Sequence, residues 1–349
     1  IVNFTANNMT VSDNTEWGML TGDDGSGGID VNLDFTDCTF TGNGTVDVGG
    51  GGLLHFSPGD VTISGGSYSA QTVGSGIKLD NDHPSRAISI SGATLNDNAG
   101  FGADCPGSGV YTITNCTLDN NDRGIVFGAL GNTDMTITGG SASSNNQVGI
   151  QPDGATGGLT VDISGVNVDD NGGIGIGIFS QGTYTVSDCN IRRSGTEGIA
   201  RFFNDTGTAT SLTIENTLVS ESQTWGVSID GVPADVVMSD CTLSENGVDG
   251  TDKANLIFNG EGIKTLDADR CVFVHGAGTK DNVALIAAVN ATMTNCLVDN
   301  GGVLDGPTEG YTGGIKLISA AAGDLFGPTQ LTLEFSTVVG PDENGRTGI

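Results

Sequence analysis

Basic residues are scarce in this chain: lysine and arginine together number 12 of 349, against 42 acidic residues, for a formal charge of -30. A surface of that sign repels DNA, RNA and anionic membranes, and it lacks the basic stripe and interleaved aromatics of a nucleic-acid binder. Nucleic acid is excluded as a partner. No apolar run approaches bilayer-spanning length, the longest being ALIAAV at 284–289, so membrane insertion is not expected. Runs with apolar residues at three-and-four spacing are hard to find, which removes amphipathic helices as the architecture. The seven cysteines include no CxxC and no neighbouring histidine pattern, so a zinc site is not indicated. Proline-rich or serine-rich spacers and blocks of charge are also missing, and one domain over residues 1–349 is expected.

What the chain has is glycine, 58 residues of it, and a phrase that it keeps rewriting. The clearest copy is TITNCTLDNNDRGIVF at 112–127, and variants read DFTDCTFTGNG, YTVSDCNIRRSGTEGIARF, VVMSDCTLSEN, LDADRCVFVHG and TMTNCLVDN. Aligning the position of Cys116 gives a column of Met9, Cys38, Gly66, Ala93, Cys116, Gly140, Val166, Cys189, Thr217, Cys241, Cys271, Cys296 and Ser336. That is about 13 copies at a mean period of roughly 27 residues, the signature of a solenoid.

Side-chain alternation decodes the unit. Tyr111 and Ile113, then Cys116 and Leu118, then Ile125 and Phe127 alternate with polar or small residues, so each turn has three short strands with one buried face. Ile113 and Cys116 are three apart, which breaks period two and puts a bend at Thr114 and Asn115. A second bend falls at 119–123, where asparagine recurs five positions after the column as Asn43, Asn98, Asn121, Asn145, Asn171 and Asn246. Asparagine tolerates the left-handed conformation of a sharp bend, and stacked amides bond to one another. The third connection varies from copy to copy and gathers irregular loops along one edge. The column cysteines read as small hydrophobes filling a stack, and Cys105 as a lone loop thiol.

The NCT-L-x-x-N phrase followed by G-I, at this period and over essentially the whole chain, resembles the right-handed parallel β-helix superfamily of pectate-lyase-like proteins. The resemblance implies an all-β, single-stranded, right-handed parallel β-helix. Because that superfamily holds polysaccharide lyases, glycoside hydrolases, epimerases, tailspikes, adhesins and surface-layer proteins, function has to be argued from a site.

Enzymes of this superfamily often work on an outward strand face. On the G-I strand the outward positions include Lys78 and Asp80, with Asp104 expected opposite Asp80 one turn on, and the following loop adds Asp82, His83 and Arg86. Asp80, Asp82 and Asp104 have the chemistry to hold calcium, and paired carboxylates can act as acid and base on a glycosidic bond. Lys78 or Arg86 can take a proton beside a uronic acid carboxylate, as basic residues do in lyases resembling this fold. The bland reading stands beside it: among 42 acidic residues on a regular lattice, two will align by chance. The NTD, GHG and RIK strings of polygalacturonase-like enzymes and the YG-x-DPH string of alginate-epimerase-like ones are absent. A second cluster gathers Arg192, Arg193, Arg201 and Phe202 in one turn, a basic and aromatic spot suited to an anionic sugar and equally to an interface or an internal salt bridge.

Neither end shows a polar cap, which leads to the expectation of a fragment or of subunits stacking end to end. High acidity with little lysine suits an extracellular or cell-surface setting, where salt and cations relieve self-repulsion. The leading expectation is a non-catalytic structural or adhesive scaffold whose partners are further copies of itself or a polysaccharide. The alternative is a lyase or hydrolase acting on acidic polysaccharide through the Lys78–Asp104 neighbourhood. Neither reading requires a cofactor, and calcium is the one ion that the acidic cluster suggests.

Overall fold

A computed structural model describes residues 1–22, 30–44, 50–80, 86–129, 134–154, 159–203, 210–231, 234–248, 255–259, 262–274, 282–286, 289–299, 314–318 and 329–339. The chain divides into two compact units, Ile1–Gly172 with Phe179–Gly182, and Gly173–Ile178 with Thr183–Ile349. Every named element among the described residues is a strand, and every named pairing is parallel to the next copy of the same strand, as a β-solenoid requires.

In the first unit one sheet stacks the strands Val2–Asn7, Val31–Thr36, Val61–Ser64, Ala87–Ser91, Val110–Thr114, Asp134–Thr138 and Leu159–Ser164. A second stacks Trp17–Gly22, Gly51–Phe56, Ile77–Leu79, Phe101–Cys105, Arg123–Ala129 and Ile150–Gly154, the G-I strands of the sequence. The third face begins as Thr10–Ser12, Thr39–Thr41 and Ser67–Ser69, then continues through single bridges at Thr94, Thr117, Ser141 and Asn167. A third strand in every turn was expected. In those copies the stretch pairs through one residue only, although left-handed residues bound it just as they bound the strands, Asn115 and Asn120 around Thr117 as Asp37 and Gly42 around Thr39–Thr41.

The second unit repeats the plan. Its long-strand sheet runs through Thr210–Glu215, Ala234–Ser239, Lys264–Asp269, Val289–Thr294 and Gln330–Glu334. Its G-I sheet runs through Ile199–Phe203, Val227–Gly231, Leu256–Phe258, Val283–Ile286 and Ile315–Ile318, and its third face through Asn190–Arg192, Leu218–Ser220, Thr242–Ser244, Val272–Val274, Leu297–Asp299 and Thr337–Val339.

Period-two alternation sets what is buried. In the first unit Ile63, Ile90, Ile113 and Ile137 align in register as one inward rank, and each is buried. The residue before each column position is left-handed in all copies: Asn8, Asp37, Gly65, Gly92, Asn115, Gly139 and Gly165 in the first unit, Asp188, Asn216, Asp240, Arg270, Asn295 and Phe335 in the second. This is the first bend.

The second bend corrects the sequence reading by one residue. Its left-handed position is four after the column, at Asp13, Gly42, Ala70, Asp97, Asn120, Ser144 and Asp170 in the first unit. The asparagines at five after the column instead point inward and form a ladder. Asn98 donates both its backbone N–H and Nδ2 to Asn121 Oδ1, each at 3.0 Å, and Asn145 Nδ2 donates to Asn171 Oδ1 at 3.0 Å. The ladder explains the glycine of the G-I phrase: a Cβ on Gly124 would lie 3.0 Å from Asn145 Nδ2 and overlap Gly149 O. In the second unit the amides continue from Asn246 to Asn255 and on to Asn282.

The column cysteines do more than fill space. Cys116 Sγ donates to Ile90 O and Thr114 O, both at 3.5 Å, and Thr217 and Ser336 place hydroxyls on the equivalent carbonyls. All seven cysteines are free and buried. Cys105 corrects an expectation: it ends the strand Phe101–Cys105 and faces the core.

Candidate functional site

The carboxylate cluster forms around a lysine. Lys78 is the outward residue of Ile77–Leu79, between buried Ile77 and Leu79, and the parallel register places Asp104 directly opposite it. This corrects the expected match of Asp104 with Asp80 by two residues. Lys78 Nζ lies 3.3 Å from Asp104 Oδ2 and 3.8 Å from Asp80 Oδ2, so a single ammonium bridges both carboxylates. Asp104 is largely shielded and Asp80 open, with side-chain exposures of 15% and 55%. Burial raises the Asp104 pKa above the usual carboxylate range, while Lys78 pulls it back. No group of three His, Cys, Asp or Glu side chains that could hold a metal ion occurs among the described residues.

Two other members of the cluster, Asp82 and His83, lie outside the described residues. Arg86 does not join it. Expected as an outward base, Arg86 is 1% exposed and points into the interior, its Nη2 donating to Leu79 O at 3.3 Å and Tyr111 Oη at 2.9 Å.

The basic cluster of the second unit also divides. Arg192 ends the strand Asn190–Arg192 and Arg193 takes the left-handed bend, while Phe202 is half-buried in register with Asp230. Arg201 is 1% exposed in the core, where Nη1 donates to Asp230 O at 3.1 Å and Nη2 to Thr210 Oγ1 at 2.9 Å. A sugar-binding spot built from all four residues is therefore reduced to those outside the core.

Sequence reasoning missed two buried ionisable groups. His55, on Gly51–Phe56, is fully buried with Nδ1 2.9 Å from Thr21 Oγ1, and burial, with Arg86 nearby, lowers its pKa to about 4. Lys264, first residue of Lys264–Asp269, is fully buried, donates to Gly262 O at 3.3 Å, and is lowered by burial to about 8. A signal existed for both. His55 shares the inward parity of Leu53, and Lys264 that of Leu266 and Ala268.

Beyond Lys78 and Asp104 the outward rank continues in register to Val126 and Gln151, which are 9% and 6% exposed. Beside it, Arg123 donates to Gln147 and Gln151, Gln147 donates to Asp122, and Gln151 to Asp153, so these polar groups are engaged with one another. The corresponding rank of the second unit, Ala200, Ser228, Ile257 and Ala284, is also buried.

A family model described as a right handed beta helix region matches residues 2–162, 59–209 and 155–346. No match was found among curated proteins or among solved structures.

Proposed function

The chain belongs to the right-handed β-helix family, and from that premise we propose that it is a non-catalytic scaffold of an extracellular or cell-surface structure. The observation that supports this reading is the engagement of the Lys78 ammonium by Asp104 and Asp80 on the outward rank of the G-I sheet, followed in register by the shielded Val126 and Gln151. A polysaccharide-cleaving β-helix needs a groove along its strand face with converging, solvent-open acid and base groups. Here Val126 and Gln151, which follow Asp104 in register, are shielded, and the ammonium and carboxylates engage each other. The recurring residues are explained by stacking: asparagine by its ladder, glycine by the space that the ladder takes, cysteine by its bend carbonyls.

The test is incubation of the protein with neutral and acidic polysaccharides, with and without calcium, following reducing ends and ultraviolet absorbance of unsaturated uronates. No release is expected, whereas co-pelleting with insoluble glycan or self-association in sedimentation velocity is expected of a scaffold. The lyase or hydrolase reading keeps one specific observation, the raised pKa of Asp104, a property of general acids. Sugar release that disappears in both Asp104→Asn and Lys78→Met would establish that reading and remove the scaffold one.

A further inference from the structure

Among the described residues, Asn3, Asn8, Asn43, Asn115 and Asn290 each open an N-x-T sequon. In a chain so rich in asparagine and threonine the motif alone is weak, and the fold separates the five. Asn43 is fully buried in the amide ladder, where its Nδ2 donates to Val11 O at 3.3 Å and Gln71 Oε1 at 3.2 Å, so a substituent there has no room. Asn3 and Asn290 stand on long strands, and Asn3 accepts from Asn32 Nδ2 at 2.9 Å. Asn115 is placed differently. It is exposed at the left-handed position of the first bend, with φ 52°, and its carboxamide makes no hydrogen bond among the described residues. Asn216 and Asn295 occupy the same bend position but open no sequon, and each donates its Nδ2 to an aspartate of the preceding turn, Asp188 and Asp269. The rank around Asn115 is open, because the equivalent residue is Gly65 and Gly92 in the two turns before and Gly139 and Gly165 in the two turns after. A Cβ on Gly92 would meet nothing within 4 Å, and one on Gly139 would overlap Asn115 Oδ1, so these glycines leave the carboxamide clear at the surface. Asn8 is also exposed at this bend, but its next turn carries Asp37 in place of glycine.

We infer that Asn115 is a site of N-linked glycosylation, its co-substrate a saccharide carried on a polyprenyl diphosphate. The inference rests on the extracellular reading, because such donors are used on the outer side of a membrane. Asn115 Nδ2 attacks the anomeric carbon of the saccharide. The N–C1 bond forms as the C1–O bond to the diphosphate breaks, the lipid diphosphate leaves with the bonding pair, and one Nδ2 proton passes to a base. No oxidant or reductant is needed. Thr117 completes the motif, but in the folded turn it is half-buried and bridged to Thr94 and Ser141, so transfer belongs to the chain before this turn closes. The fold then decides which products it can accommodate. A glycan on Asn115 projects from an open rank, whereas one on Asn43 would break the ladder.

The test is a peptide map, by mass spectrometry, of the full chain recovered from the culture fluid, cell surface and cytoplasm of the organism that makes it. Trypsin releases residues 87–123, which contain Asn115 and no other sequon, whereas Asn3, Asn8 and Asn43 share residues 1–78. In chain recovered outside the cell, 87–123 should appear mainly at masses raised by a saccharide, with fragmentation placing it on Asn115 and leaving Asn43 bare. Expressed in the same organism, Thr117→Ser should keep the added mass and Thr117→Val should lose it. A bare 87–123 peptide outside the cell would overturn the glycosylation and leave the extracellular reading standing. Added mass that survives Thr117→Val, the mark of O-linked sugar on the strand hydroxyls, would overturn it as well. Chain confined to the cytoplasm would remove both the extracellular reading and the glycosylation. Because the wild-type map uses the unaltered chain, a variant that fails to fold leaves the question decidable.

Discussion

At the second bend of the first unit, turn after turn places one left-handed residue and then an inward amide, each amide completing its neighbour's hydrogen bonds. At the corner where the G-I strand gives way to the next long strand, no such rule holds. Arg86 fills it in the first unit, and Arg201 and Lys264 in the second, each bonded to whatever carbonyl or hydroxyl the local connection presents. Both places bury polar groups. One satisfies them by repetition and leaves no charge inside, whereas the other relies on single residues and encloses a cation. Individuality in this fold is therefore concentrated at the third corner.

The sharpest way to break the comparison is to remove one rung of the ladder. Asn121→Leu would strip Asn98 of the acceptor that its N–H and Nδ2 share and leave Leu95 O without its 2.9 Å donor, while the next step, donated by the Asn121 backbone N–H to Asn145 Oδ1, survives. With each orphaned buried group costing about 1–3 kcal/mol, a loss of about 4 kcal/mol is expected in denaturant unfolding. The same change at exposed Asn14, at the edge of the ladder, should cost about 1 kcal/mol. Equal losses at both positions would show that the ladder is not cooperative.

The ladder and the three-faced plan were legible because repetition averages out local noise. Thirteen aligned copies expose a column even where Gly66 or Thr217 replaces cysteine. The shift of the left-handed residue from five to four after the column was not legible, since Asp13, Ala70, Ser144 and Glu221 share no side-chain signature there. The third corner was misread for a different reason. Arg86 has the inward parity of Ile88 and Ile90, and Arg201 that of Ile199; charge argues for the surface at Arg86 and leaves Arg201 open between a sugar, an interface and an internal salt bridge, whereas alternation places both inside. In a solenoid the backbone period fixes direction, and a long cationic stem can follow it inward when carbonyls wait at the corner.

The buried histidine probes the corner by pH. The folded-state pKa of His55 is lowered to about 4 from an ordinary 6.5 by burial and by Arg86. Above pH 6.5 both folded and unfolded chains hold it neutral, so it contributes no slope. Between pH 6.5 and 4 the unfolded chain takes up the proton and the folded chain resists, so stability falls as pH falls. The loss should reach about 3 kcal/mol, measured as the difference between wild type and His55→Gln across that window. A flat difference would mean that the corner does not exclude charge as its geometry implies.

The bends supply a smaller effect. Cys116→Ser keeps a donor for Ile90 O and Thr114 O, as Ser336 does in its own copy, whereas Cys116→Ala removes it. Alanine should cost about 1 kcal/mol more than serine by chemical denaturation. The reverse order would restore the reading of this column as hydrophobic filling alone.

The smallest effect is on the outer face, where charge meets solvent. Lys78→Met removes the ammonium that bridges Asp80 and Asp104, and because the pair is partly exposed the stability change should be no more than about 1 kcal/mol. The informative readout is Asp104 itself. Without Lys78 only burial and the neighbouring Asp80 charge act on it, both of which favour the protonated form, so its pKa should rise further in carboxyl-resolved NMR titration. The sign follows from linkage: a carboxyl whose folded pKa lies above its unfolded value penalises the fold at high pH, and the penalty is relieved as pH falls through the folded value. Lys78→Met should therefore lose stability at neutral pH relative to wild type and recover it on acidification. A fall in the Asp104 pKa would mean that a cation other than lysine enters the pair, and would bring the outer face closer to the charge-enclosing corner than its open geometry suggests.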